Sequence, residues 1–343
     1  MQSDTNHYYL AGNINNWNPG EPAYSFISNQ GQMIIELPFT DSIELQYKIT
    51  RGNWSEVEVD QNGNQISNRS IKTKKDTVIY ITVSNWADKI SKKHTSSPNV
   101  HILSDSFPMN SLASKTKIWI YLPPSYQHSK KSYPVIYMQD GQNLFDKATT
   151  AFGTEWQVDE TMDSLVSKGG QEYIIVGIGS GNERLHEYLP YQSKMLGEAR
   201  GKEYAAFITK QLVPYIDSNY RTVKARGGRS VAGSSMGALI SLYCLMEFPD
   251  IFSVAGVFSC SFQVIDDFHH VLYKDPGSKK IKVFLYAGDK ESKTLVQYTE
   301  LMKQELEKSK NIKVRTMYVK GGEHSEYYWQ KPFLEYVLWL NKN

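Results

Sequence analysis

The sequence predicts two architectures in series: a small all-β sandwich, then an α/β domain built on a doubly wound, mostly parallel sheet. Three observations carry this. Between residues 7 and 88, apolar residues alternate with polar ones over short runs separated by turn signals, the period of half-buried strands. Residues 89–99 lose both apolar period and bulk, as a linker does. From about residue 100, apolar strand-like runs alternate with stretches of helical spacing, which argues for a sheet with helices on both faces. The implied division is 1–88, a linker at 89–99, and 100–343.

In the first part, IELQYKI places Ile43, Leu45, Tyr47 and Ile49 on one face, and TVIYITV does the same with Ile79, Ile81 and Val83. Asn18-Pro19-Gly20, Arg51-Gly52-Asn53 and Asn62-Gly63-Asn64 punctuate the runs. In the second part, KIWIYLP and YPVIYMQD read as strands, and EYIIVGIG as a strand covered on both faces. EYAAFITKQLVPYID has helical spacing. GRSVAG is a strand running into a turn, and MGALISLYCLMEF is a helix stopped near Pro249. SVAGVFS, IKVFLYAG and NIKVRTMYV are further strands. A helix between the last two carries Leu295, Tyr298, Met302 and Leu306 on one face.

Bulk properties exclude several classes. The net charge is +2 with no basic stripe, which speaks against a nucleic-acid partner. No apolar run approaches the roughly 18–20 residues of a membrane span. The opening MQSDTNHYYL has neither a charged region nor an apolar core, so it is not a secretion leader. Richness in Tyr, Asn and Ser nonetheless leans toward an exported protein, periplasmic or extracellular, whose leader has been removed. A cytoplasmic location stays open. Cys244 and Cys260 match no disulfide framework or metal spacing and are expected as buried free thiols. No cofactor or metal is implied.

The segment SVAGSSMGAL carries the chemistry. Gly-x-Ser-x-Gly fits it in one register, Gly233-Ser234-Ser235-Met236-Gly237, with Ser235 central. A serine on a sharp strand-to-helix turn needs glycines two residues either side, because side chains there would collide. A serine hydroxyl is a poor nucleophile until a base takes its proton, and a carboxylate must orient that base. Of eight histidines, His324 in VKGGEHSEYYW lies downstream on a loop after a strand. His269 and His270 precede any acid candidate. The acid should follow IKVFLYAG, where Asp289 and Glu291 both stand; Glu291 is favoured because Asp289 comes immediately after Gly288. An oxyanion hole needs two backbone N–H groups. Met236 is one candidate, and Gln142, next to Gly141 in DGQNLFD, is the other.

These residues resemble a family. KIWIYLPPSY, SYPVIYMQDGQNLFD, the stretch around Arg184, Glu187 and Tyr188, AGSSMGAL, YAGDKE and GGEHSEYYW resemble the esterase D and enterochelin-esterase type of α/β-hydrolase, over roughly residues 100–340. That group includes carbohydrate esterases. The resemblance implies Ser235 as nucleophile, His324 as base and the acid at Glu291. YYLAGNINNWNP and YKITRGNWSEVEVDQNGNQISNRSI are similar to starch-binding and glycogen-binding immunoglobulin-like β-sandwiches, over about residues 7–86. Such modules stack sugar rings on aromatics, and Trp17 and Trp54 are the candidates for a polysaccharide partner.

The expected activity is therefore serine carboxylic ester hydrolysis through an acyl-enzyme, on an acylated saccharide or a related small ester. Trp156, Arg184, Tyr188 and Phe262 are expected to line the pocket, from their nearness to the motif loops. Two alternatives stand beside it. One is a siderophore trilactone esterase, which needs clustered basic residues. The other is a glycan-binding protein with an inactive hydrolase fold. Oligomeric state leaves no trace in the sequence.

Overall fold

The structure is a computed structural model and describes residues 7–39, 42–72, 77–90, 93–150, 153–181, 183–292 and 294–340. The first six residues, on which the leader argument rests, lie outside these. The chain forms two compact units. One holds residues 1–95 together with 146–155, and the other holds 96–145 with 156–343.

In the first unit, β1 (Tyr9–Gly12), β4 (Glu44–Thr50) and β6 (Arg69–Lys72) form a three-stranded antiparallel sheet with β4 central. β2 (Ile27–Asn29) pairs with β3 (Gln32–Ile34), and β5 (Glu58–Val59) with β7 (Asn85–Trp86). Leu45, Tyr47 and Ile49 of β4 join Leu10 in a small core, as their alternation predicts. The second run behaves differently. Thr77–Ser84 enters no ladder, although Ile81 and Val83 still turn toward that core while Val78 and Tyr80 are exposed. The alternation marks which side is apolar, not whether the backbone is paired. Residues 146–155 are fastened to the end of the first stretch: Asp146 Oδ2 lies 2.7 Å from His94 Nδ1, and Thr95 donates its hydroxyl to Glu155 Oε1 at 2.6 Å.

The second unit is built on eight strands: β8 (Val100–Met109), β9 (Ser114–Tyr121), β10 (Val135–Gln139), β11 (Ile174–Ile178), β12 (Arg229–Ser234), β13 (Val254–Phe258), β14 (Ile281–Gly288) and β15 (Ile312–Val319). Their order across the sheet is 15-14-13-12-10-11-9-8. β10 to β15 run parallel, while β9 joins β11 and β8 joins β9 antiparallel, so the sheet is mixed. Every residue of β10, β11 and β13 is buried, which explains their unbroken apolar sequences. The helices are α1 (Val158–Ser167), α2 (Arg184–Glu187), α3 (Gly201–Phe207), α4 (Val213–Asn219), α5 (Met236–Glu247), α6 (Phe268–Leu272), α7 (Leu295–Leu306) and α8 (Glu326–Leu340). A π-type turn at Ile208–Leu212 joins α3 to α4, so EYAAFITKQLVPYID is helical throughout but not one regular α-helix.

Two apolar clusters fill the faces of the sheet. One gathers α5 with α3 and α7 side chains such as Tyr204, Leu239 and Met302. The other packs α8 and α1, through Phe333, Tyr336 and Met162, on the opposite side. α5 is almost wholly buried, and its Cys244 is a free thiol, as is Cys260. Burial pushes both thiols up, away from reactive thiolate.

Candidate active site

The parallel strands deliver their loops to one edge, and the order of chain crossings fixes what meets there. β12 ends at Ser234, Ser235 is the turn, and α5 begins at Met236. Ser235 has φ 56° and ψ −123°, a backbone conformation that costs an L-residue on the order of 1–3 kcal/mol. The surroundings hold it: its N–H donates to Phe258 O at 2.9 Å, and Ala238 and Leu239 donate to its carbonyl. The flanking glycines are a steric requirement. A Cβ on Gly233 would lie 2.7 Å from the backbone of Gly237, and one on Gly237 would lie 2.9 Å from Gln139 Cβ.

The Ser235 hydroxyl shares a 3.0 Å hydrogen bond with Ser261 Oγ, on the loop after β13. Among the described residues no hydrogen bond joins the Ser235 hydroxyl to His324; catalytic hydrogen bonds are often long or poorly aligned before substrate binds. The Met236 N–H sits in the first turn of α5, where an amide has no intrahelical acceptor.

Two strands further along, Glu291 follows β14 and His324 follows β15. Glu291 Oε2 lies 2.6 Å from His324 Nδ1. Its other oxygen, Oε1, accepts from Ser259 Oγ at 2.7 Å and from the Gly288 N–H at 2.8 Å. Ser259 Oγ in turn accepts from Trp329 Nε1 at 2.8 Å, and the Trp329 ring meets the imidazole edge-on with centroids 5.1 Å apart. The carboxylate is thus held by three donors, one of them the imidazole, whose Nε2 remains the nitrogen available to accept a proton. Asp289 is occupied elsewhere: its Oδ1 accepts from the Gly321 N–H at 2.6 Å and shapes the turn before His324. Sequence reasoning did not single out Ser259 or Trp329, although both stand in or beside quoted motifs.

On the other side of the elbow, β10 is followed by Asp140, at φ 56°, and a 3₁₀ turn over Gly141–Asn143. Gly141 is packed rather than open, since a Cβ there would meet Gly177 and Trp119 within 3 Å. Gln142 is pinned to the loop after β11, with Nε2 donating to Ser180 Oγ at 2.8 Å and Oε1 accepting from the Ser180 N–H. Arg184 forms a two-point ion pair with Asp140, at 2.6 and 2.7 Å, and its guanidinium lies over the Tyr188 ring. Burial works against the Arg184 charge, but Asp140 outweighs it and holds the guanidinium above its usual range.

The chain and its fold match known proteins. Residues 109–340 match the model of the Esterase family, "Putative esterase". The chain belongs to the Esterase family. A Bacillus subtilis (strain 168) relative of this esterase, "Uncharacterized protein YbbA", is 25% identical over 248 residues, spanning 66% of this chain and 93% of its own. Among solved structures, a ferulic acid esterase superposes with a TM-score of 0.56 at 20% identity, covering 71% of this chain and 99% of that one. The enterobactin esterase FES from Shigella flexneri does so with a TM-score of 0.54 at 16% identity, covering 74% and 59%. At those identities the superpositions speak to the fold.

The esterase's expected pocket residues are placed differently from the expectation. Trp156, Tyr188 and Phe262 are each no more than 2% exposed. Trp156 packs among Phe258, Trp329 and Phe333, Phe262 stacks on Phe268, and Tyr188 sits against Tyr204. They support the motif loops from beneath rather than presenting a face to solvent. Arg184 is engaged by Asp140, as above. His269 and His270 lie on α6, where His270 Nδ1 faces Glu305 at 3.2 Å. In the first unit Trp17 and Trp54 are both half-buried, and Trp54 packs against Val57, Val59 and Ala87. Among the described residues no helix is long and apolar enough to cross a membrane.

Proposed function

We propose that this esterase is a serine ester hydrolase in which Ser235, His324 and Glu291 form the catalytic triad, acting on acylated saccharides or related small esters. The observation that carries the proposal is the Glu291–His324 contact at 2.6 Å, on the loops after β14 and β15, the second and third strands beyond β12, which runs into the strained Ser235 elbow.

The chemistry follows from the placement. Ser235 Oγ leaves Ser261 and attacks the ester carbonyl while His324 Nε2 takes its proton. Glu291 fixes the tautomer with the proton on Nδ1 and stabilises the imidazolium that forms. The negative charge that develops on the carbonyl oxygen falls to the N–H groups of Met236, at the positive end of α5, and of Gln142. His324 then returns the proton to the leaving alcohol, and a water attacks the acyl-serine by the same route in reverse.

One finding bears on the substrate. A catecholate trilactone is anionic and calls for unpaired cations, whereas Arg184 is neutralised by Asp140. The superposing structures include a ferulic acid esterase and an enterobactin esterase alike, so the choice between substrates rests on that charge. The test is a panel of acetylated, feruloylated and trilactone esters, with Ser235→Ala alongside. Acylated saccharides should turn over fastest, and the variant should be inactive. Preferred turnover of the trilactone would replace the substrate assignment, and undiminished turnover by the variant would end the proposal.

A further inference from the structure

Glu326 stands two residues beyond His324, at the first position of α8, and no step of the proposed cycle uses it. It is buried, only 5% exposed. Its Oε1 accepts from Asn143 Nδ2 at 3.0 Å, and Asn143 closes the 3₁₀ turn that presents Gln142. The other end of that amide, Asn143 Oδ1, is buried and has no hydrogen-bond partner among the described residues. An ionised carboxylate has no donor to offer it. A neutral carboxylic acid does: its O–H donates to the amide oxygen while its carbonyl accepts from the amide N–H.

The electrostatic setting favours the neutral acid. The titratable and charged groups around Glu326 are His324 on its own loop, Asp140 after β10 and Arg184 on α2. Arg184 is spent on Asp140, so Glu326 has no cation of its own. Burial pushes its carboxyl up to about 7, with Asp140 adding to the rise, and its own backbone N–H, His324 and Arg184 only partly oppose it.

We propose that Glu326 is a positioning residue that works in its protonated form, pairing with the Asn143 amide and so latching the turn that presents Gln142 to the loop that carries His324. This rests on the catalytic reading given above. Loss of the proton removes the O–H donor and sets a carboxylate against the orphan amide oxygen, so the latch loosens as pH rises.

The test compares the wild-type chain with Glu326→Gln and Glu326→Ala. Glutamine keeps both hydrogen bonds and cannot ionise. On a p-nitrophenyl ester, Glu326→Gln should keep kcat within about two-fold of wild type at pH 6 and hold it to pH 8.5, where wild type declines. Glu326→Ala should lose about ten-fold or more in kcat at pH 6, with KM changed less, and the gap should narrow toward pH 8.5 as wild type declines. Amide hydrogen exchange, corrected for intrinsic pH dependence, reads the latch without catalysis. Residues 141–145 should exchange faster in Glu326→Ala and in wild type at high pH, and not in Glu326→Gln.

A glutamine variant as impaired as the alanine one would overturn the proposal, and so would an alanine variant equal to wild type in both measurements. Faster exchange spread through the whole unit would assign Glu326 a purely structural role and also overturn it. Ser235→Ala, run alongside, separates the two claims: if it stays active the catalytic reading fails, and the exchange pattern alone decides the latch.

Discussion

Glu291 and His324 meet at 2.6 Å, Oε2 to Nδ1, across 33 residues of chain. The contact is possible because β14 and β15 pair in parallel up to Gly288 and Val319, so the loops that follow them start side by side. Glu291→Gln should keep the shape of the loop and remove the tautomer control. We expect kcat to fall by roughly 10³–10⁴, by analogy with the loss on such a change in a serine protease triad, with KM little altered. Asp289→Asn should cost no more than about ten-fold, because that carboxylate only braces the Gly321 turn. Steady-state kinetics on both variants checks this, and a larger loss at Asp289 would reverse the assignment.

Trp329 supports the acid at one remove. Its Nε1 donates to Ser259 Oγ, which donates to Glu291 Oε1. Trp329→Phe retains most of the ring packing and removes the donor. The expected loss is about three- to ten-fold in kcat, the scale of one buried hydrogen bond. In a Ser259→Ala background the same change should cost little, since the chain is already broken. A double-mutant cycle measures the coupling.

Much of the second unit is visible in the sequence, because strands buried on both faces leave continuous apolar runs and the elbow leaves its glycines. β8 is not: it is an edge strand carrying Pro108, with register shifts between Ile102, Ser104 and Phe107, and these break the alternation. α8 is hidden by Pro332 inside it, which reads as a stop. The choice between Glu291 and Asp289 turns on which way two neighbouring carboxylates point, a matter of loop geometry. The aromatic residues expected in the pocket are close to the motifs along the chain, but Trp156, Tyr188 and Phe262 are turned inward, and the side a loop residue faces has no period to betray it. The grouping of residues 146–155 with the first unit likewise has no compositional signal.

The elbow glycines give a stability prediction. Gly233→Ala would press a methyl carbon to 2.7 Å from the Gly237 backbone, which cannot swing aside as a side chain does. Overpacking of this kind costs about 1–3 kcal/mol. Urea denaturation should show that loss, and activity should fall further than the folded fraction does, because Ser235 itself is displaced. Unchanged stability and activity would mean that the turn is looser than described.

Glu326 gives a pH dependence of stability with a definite sign. Its folded value is raised from 4.5 to about 7, so between those values the folded chain binds more protons than the unfolded one. Stability therefore declines as pH rises through this window and levels off above it. The whole effect is on the order of 3 kcal/mol. Glu326→Gln lacks it, so the variant's stability relative to wild type should grow between pH 5 and pH 8, measured by denaturant unfolding. A difference that is flat with pH, or that shrinks, would contradict the buried neutral acid.

The most direct measurement is covalent labelling of the folded protein with a fluorophosphonate, followed by intact-mass and peptide analysis. One adduct, on Ser235, abolished by Ser235→Ala and retained by Ser234→Ala, is the predicted result. An adduct on Ser234 or any other residue, or no adduct in a preparation that hydrolyses esters, would contradict it.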